Sequence, residues 1–137
     1  YALDFDADGR IDLWTDMDDV IGSVGNFLSQ HGWEKGRPVL LPVTADSMEA
    51  RATVGDGGLS ERRDYAQWAA IQVAPRDPAE IDPQWPAALV LLDELNGPEY
   101  RLGFTNFHVL TRYNRSRLYA TAVWELAQAI RRAVVAQ

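Results

Sequence analysis

Apolar residues, joined by His31, fall into one helical stripe at Val20, Ile21, Val24, Phe27, Leu28 and His31. The three- and four-residue spacing predicts a helix from about Met17 to His31, with Gly32 as its stop. Asp16, Asp18 and Asp19 lie at the end where exposed N–H groups favour carboxylates. The pattern then changes period. Val39, Leu41 and Val43 alternate within Arg37-Pro38 to Asp46, predicting a short strand, and Val54-Gly55-Asp56-Gly57-Gly58 marks a turn. Ser60 with Glu61, Asp64, Tyr65, Trp68 and Ala69 predicts a short helix ending before Pro75. Pro75, Pro78, Pro83 and Pro86 make Ala74 to Pro86 an extended surface connection. Ala87 to Leu95 and Glu99 to Phe104 flank Asn96-Gly97-Pro98 as a hairpin, and Phe107 to Leu110 continues the strand character. The last element is a helix capped by Ser116, with Leu118, Ala122, Leu126, Ala129, Ile130, Ala133 and Val134 at helical spacing. The expected class is α+β, two end helices enclosing a small antiparallel sheet.

Length and composition add bounds. With 137 residues, 47% hydrophobic and 24% charged, one globular domain with one core suffices. Of the net charge of −7, the segment from Tyr1 to Asp19 carries −6, from seven Asp and one Arg. No basic face is visible that would neutralise a run of phosphates, which argues against a nucleic-acid partner. Cysteine is absent, excluding a disulfide framework, a thiolate metal site and a Cys nucleophile. No apolar stretch approaches the roughly 18 residues of a membrane span.

The acidic segment has an internal order. Asp4-Phe5-Asp6-Ala7-Asp8-Gly9-Arg10-Ile11-Asp12 follows the first nine positions of an EF-hand loop, in which alternating oxygen ligands surround a hard cation. Asp4, Asp6 and Asp8 would supply carboxylates, Gly9 the sharp turn, Arg10 its carbonyl, and Asp12 a direct or water-bridged contact. The twelfth position is Thr15, which has no carboxylate, and a longer loop could bring Asp18 or Asp19 round from the start of the following helix. A site built from many carboxylates suits Ca2+ better than Mg2+. The competing reading is an acidic turn that caps a helix and faces water. An EF-hand also needs an entering helix, and only three residues precede Asp4.

These blocks, read in order, carry a resemblance. Asp4 to Trp14, Asp19-Val20-Ile21-Gly22-Ser23-Val24-Gly25-Asn26-Phe27-Leu28, His31-Gly32-Trp33, Asn106-Phe107, Thr111-Arg112-Tyr113-Asn114-Arg115-Ser116 and Leu118-Tyr119-Ala120 resemble the lytic murein transglycosylase B family. The blocks occupy both ends of the chain, while about Ala45 to Pro86 carries little of the pattern. The resemblance implies the C-terminal part of a lysozyme-like transglycosylase fold from the periplasm or bacterial cell envelope, soluble or lipid-anchored to the outer membrane. It implies an enzyme that cleaves peptidoglycan glycan strands between N-acetylmuramic acid and N-acetylglucosamine without water, leaving 1,6-anhydromuramic ends. One Glu in a Gly-x-x-x-Glu-[ST] motif, upstream of the calcium loop, acts in that family first as acid and then as base. None of Glu34, Glu49, Glu61, Glu80, Glu94, Glu99 and Glu125 has that context, so the chain alone is expected to be inactive and to need an upstream catalytic segment, as a separate chain or otherwise. The resemblance also favours Asp19 as the distal calcium ligand. It places Tyr113, Asn114, Tyr119 and Phe27 along the saccharide groove, with Phe27 standing where the family commonly has Tyr.

The implied organisation is the calcium loop and helix at 1–36, a β-rich subdomain at 37–105, and a groove segment with the C-terminal helix at 106–137. Taken from the residues alone, Phe27 reads as core, and Tyr113 and Asn114 as the turn into the last helix. Trp14, Trp33 and Trp124 read as core, and His31 and His108 as structural. Two other functions compete: a non-catalytic calcium-stabilised module that binds glycan or protein, and a two-carboxylate hydrolase using Asp93 or Glu94 with another acid.

Overall fold

The structure is a computed structural model that describes residues 2, 6–11, 17–94, 97–113 and 115–135, without the side chains at 17, 18, 20, 21 and 113. It separates into two compact units, Tyr1–Gly36 and Arg37–Gln137.

The first unit holds the acidic loop and α1 (Met17–Gln30). Its C-terminus closes where the His31 and Trp33 N–H groups donate to Leu28 O at 3.2 and 3.0 Å, before Gly32 takes a φ of +96°. The buried positions are Asp19, Gly22 and Ser23, whereas Val24 is 40% exposed. The predicted stripe is therefore corrected at Val24. Among the described residues, the side of the helix carrying Asp19 is drawn inward instead.

In the second unit, β1 (Leu40–Ala45), α2 (Met48–Ala52), β2 (Arg63–Asp64), α3 (Tyr65–Ala70), β3 (Val73–Pro75), β4 (Pro86–Glu94), β5 (Gly97–Gly103), α4 (Thr105–Tyr113) and α5 (Arg117–Val135) follow in order. The strands form an antiparallel sheet ordered β2-β4-β5-β1-β3, so the α+β class holds. The β4–β5 register runs from Ala88↔Gly103 to Glu94↔Gly97, which puts Gly97 and Pro98 inside β5 rather than in the turn. Pro98 lies beyond the part of β5 that pairs with β1, where its missing N–H costs no ladder bond to that neighbour.

Both faces of the sheet are covered, because β4 is buried at four consecutive positions, Ala87 to Val90. Ala87, Leu89, Leu102 and Val43 point to one face, where Ala50 of α2 and Trp68 of α3 complete the core. The Trp68 indole N–H, fully buried, donates to Ala87 O at 2.8 Å. Ala88 and Gly103 point to the opposite face, and the fully buried Phe107 of α4 lies against Gly103. Arg117, the first residue of α5, ties that helix to the sheet by donating from Nε to Leu91 O at 3.2 Å.

Four expectations change here. Residues Phe107 to Leu110 are helical, because Asn106, Phe107 and Val109 are buried together on α4. Ser60 does not start the short helix. Its Oγ accepts from Leu89 N–H at 2.8 Å, and Asp64 precedes the helix, its N–H donating to Gln67 Oε1 at 3.0 Å. The proline-rich connection includes β3, which pairs Val43↔Pro75 through Ala45↔Val73. Trp33 and Trp124 are only half-buried, and the core tryptophan is Trp68; Trp14 lies outside the described residues.

Candidate metal centre and groove residues

The acidic loop folds by its own side chains. Asp6 Oδ1 accepts from Asp8 N–H at 3.3 Å and Asp8 Oδ1 accepts from Arg10 N–H at 2.8 Å, so each carboxylate closes a turn over the next two residues. Gly9 takes a φ of +88°, the left-handed conformation that a residue with a Cβ resists. The loop delivers Asp6 and Asp8 to Asp19, in the first turn of α1. One carboxylate oxygen from each lies within 4.8 Å of the others. Asp19 is fully buried, while Asp6 and Asp8 are exposed. Two like charges at that separation repel by about 1 kcal/mol in water and about 3.5 kcal/mol at an effective dielectric of 20. A divalent cation reverses the sign of that energy, so the donor set fits a hard, oxygen-seeking ion. Asp19 is thus the helix acid that meets the loop; the side chain of Asp18, Asp12 and the expected ligand Asp4 lie outside the described residues. Arg10 is exposed and its N–H is turned onto Asp8.

Phe27 is half-buried and stacks on the His31 ring, 4.0 Å between centroids, while His31 Nδ1 lies 2.8 Å from Phe27 O. Tyr113 ends α4 and its side chain is outside the described set, as is Asn114. Tyr119 is 41% exposed in the first turn of α5, its N–H donating to Ser116 Oγ at 3.2 Å, the cap bond expected from the sequence.

The other titratable candidates take structural positions. His108 is largely buried; burial, then the Arg62 charge, lowers its pKa to about 4, keeping the ring neutral at neutral pH. Its Nε2 is buried without a hydrogen-bond partner. Asp93 and Glu94 are exposed, successive residues of β4, and successive strand residues point to opposite faces. Asp93 and Glu94 therefore do not face each other, and Glu99 and Glu125, the acids that share a cavity with Glu94, are both ion-paired to Arg101.

Sequence reasoning passed over Arg101. On β5 its guanidinium meets Glu125 of α5 at 2.7 Å and Glu99 at 3.5 Å, with the side chain 14% exposed. The alternation Glu99, Arg101 placed both on one face of a strand, but nothing in the spacing linked them to a helix 24 residues on. Asn106 was also unassigned; it is buried and donates from Nδ2 to Arg37 O at 3.2 Å.

Residues 1–128 match the family model described as the transglycosylase SLT domain. The chain is 41% identical over 130 residues to the membrane-bound lytic murein transglycosylase B of Escherichia coli (strain K12). The match covers 95% of this chain and 34% of that protein, so the chain spans about a third of its curated relative. It resembles the crystal structure of soluble lytic transglycosylase SltB1 from Pseudomonas aeruginosa with a TM-score of 0.86 and 36% identity, over 97% of this chain and 43% of that one. It also resembles the Escherichia coli lytic transglycosylase Slt35 in complex with calcium, with a TM-score of 0.81 and 40% identity, over 98% and 41% of the two chains.

Proposed function

Because this chain belongs to the transglycosylase SLT domain family, we propose that it is the part of a peptidoglycan lytic transglycosylase that supplies a calcium site and one wall of the glycan groove. The whole enzyme would break the bond between N-acetylmuramic acid and N-acetylglucosamine and close a 1,6-anhydro ring, acting in the periplasm or cell envelope. No described helix is long and apolar enough to cross a membrane.

The convergence of the Asp6, Asp8 and Asp19 carboxylates carries this reading, supported by the calcium in the Slt35 structure. Bound calcium would neutralise the three carboxylates and fix the acidic loop against the start of α1, with Asp4 and the Arg10 carbonyl filling further positions. The role is structural: a firm loop holds α1, which presents Phe27. Tyr119, exposed at the start of α5, offers a ring face for a pyranose and a hydroxyl for its polar edge, beside Tyr113 and Asn114 in sequence.

Bond cleavage needs a carboxyl group that gives a proton to the glycosidic oxygen and then takes one from the muramic 6-hydroxyl. Glu99 and Glu125 are committed to Arg101, Glu49, Glu61, Glu80 and Glu94 are exposed, and Glu34, half-buried after α1, stands like the others outside a Gly-x-x-x-Glu-[ST] context. The reading therefore assigns the acid to a segment outside these 137 residues.

The test is incubation of purified sacculi with the mass-verified chain. The chain should sediment with sacculi in calcium and release no anhydromuropeptides. Release of such products by the chain alone would place the acid within it, and failure to sediment would remove the groove assignment.

A further inference from the structure

Arg101 joins two cavities on the α5 side of the sheet. The first, of about 330 Å³, has Leu40, Pro42 and Trp124 as its apolar wall and Arg101, Arg132 and Glu125 as its charged lining, a formal balance of +1. The second, of about 500 Å³, has Arg76, Arg101, Glu94, Glu99 and Glu125 as its charged lining, a balance of −1. Arg101 and Glu125 belong to both. The two cavities adjoin at the Arg101–Glu125 pair and line a groove that is cationic toward Arg132 and anionic toward Glu94.

The shared arginine is not satisfied. Its terminal nitrogens hold Glu99 and Glu125, but Nε is buried without a hydrogen-bond partner. A buried charged donor left open carries a desolvation cost, and because Nε is shielded from solvent a ligand carboxylate reaches the guanidinium edge by displacing Glu99, the more distant of its two partners at 3.5 Å. A simple anion would meet the carboxylates of the second cavity, and a simple cation the arginines of the first. A ligand with both charges, separated along the groove, satisfies each end.

We propose that this groove binds a short dipolar peptide, its carboxylate toward Arg101 and Arg132 and its ammonium toward Glu94 and Glu99, with its apolar portion against Trp124. The choice of the peptide stems of peptidoglycan as the natural ligand rests on the proposed function; the dipolar chemistry rests on the groove itself. The site lies on β1, β5, the strand end of β4 and α5, with Arg76 just after β3, and uses neither the acidic loop nor Tyr119.

The experiment follows the Trp124 indole N–H by NMR, assigned with Trp124→Phe, during titration of the 137-residue chain. The probe is a tripeptide of alanine, glutamate and lysine. Its control is the same tripeptide with the amines acetylated and the carboxylates amidated, and an N-acetylglucosamine tetramer is the glycan arm. The free tripeptide should shift the Trp124 signal saturably, and the blocked one should bind at least about tenfold more weakly, as loss of charge-assisted bonds implies. Arg132→Gln, on an exposed position of α5, should weaken the free tripeptide about tenfold with an unchanged melting temperature. An unmoved Trp124 signal, equal binding of the blocked peptide, or wild-type affinity in Arg132→Gln would each overturn the assignment. A response to the glycan tetramer alone would overturn it too while leaving the transglycosylase reading intact; failure to sediment with sacculi would remove the saccharide-groove assignment and leave the tripeptide result standing.

Discussion

Replacing Gly103 by alanine should destabilise the sheet unit far more than a single methyl group suggests. Gly103 closes the central strand β5, paired with Leu40 on one side and Ala88 on the other, so the backbone has no lateral freedom. A Cβ there would lie 2.5 Å from Phe107 Cδ1 and 2.9 Å from Cγ. Carbon atoms pack at about 3.5–4.0 Å, so the ring would have to retreat by about 1 Å. Phe107 is fully buried and has nowhere to go without moving α4. Overpacking of this kind costs about 1–3 kcal/mol, and the rigidity of both partners places Gly103→Ala near 3 kcal/mol. For a unit of this size the melting temperature should fall by roughly 10–15 °C. Phe107→Leu alone should cost about 1–1.5 kcal/mol and open the space the methyl needs. The double variant, measured by urea denaturation with the two singles, should therefore be more stable than their sum by at least about 1 kcal/mol. Additivity, or a cost below about 0.5 kcal/mol for Gly103→Ala, would refute the claim that ring and strand are in rigid contact.

Two further predictions concern charge. The pKa of His108 is lowered from 6.5 to about 4 on folding, so the unfolded chain binds more protons in that interval. The stabilisation is full above pH 6.5 and is lost as pH falls toward 4. Allowing for solvent screening it amounts to about 2 kcal/mol, and His108→Phe should flatten that part of a urea-midpoint profile. Excess chelator should lower the melting temperature of the calcium-loaded chain, by about 2.7 kcal/mol of stability if calcium had been present at a hundredfold excess over its dissociation constant. Asp19→Asn should abolish most of that difference, and an unchanged melting temperature in chelator would sink the metal assignment.

What could be read from residues alone was what depends on neighbours in sequence. The cap of α5 by Ser116, the β4–β5 hairpin and the Asp-x-Asp-x-Asp-Gly turn are local, and each is found near its expected place. The failures involve distant partners. Phe107 to Leu110 form four residues of mixed apolar character, too short a run for period to distinguish strand from helix; burial against Gly103 decides it. β3 sits in a proline-rich stretch because Val73 to Pro75 find an open edge on β1. Trp68 was not singled out for the core over Trp33 or Trp124, since only the fold supplies Ala87 O as acceptor for its N–H. In the candidate metal centre the loop acids were legible by spacing, whereas choosing Asp19 as the helix acid needed the family resemblance. The Arg101–Glu125 pair had no signal at all, because strand and helix meet there only after folding.

The position of β1 has a consequence for synthesis on the ribosome. Leu40–Ala45 emerges about fifty residues before its partner on one side, β5, which begins at Gly97. During that interval the nascent chain carries a strand with Leu40, Leu41 and Val43 exposed to whatever surrounds it. β3 arrives first and covers one edge through Val43↔Pro75, but Leu40 to Pro42 lie outside that pairing. Closing the loop from residue 40 to residue 103 adds a long-range contact that must follow the local β4–β5 hairpin. Pro38 and Pro42 flank and interrupt the waiting segment. Each removes a backbone donor that a neighbouring nascent chain would need to pair with it. The same prolines that weaken β1 as a strand therefore protect it for as long as it is alone.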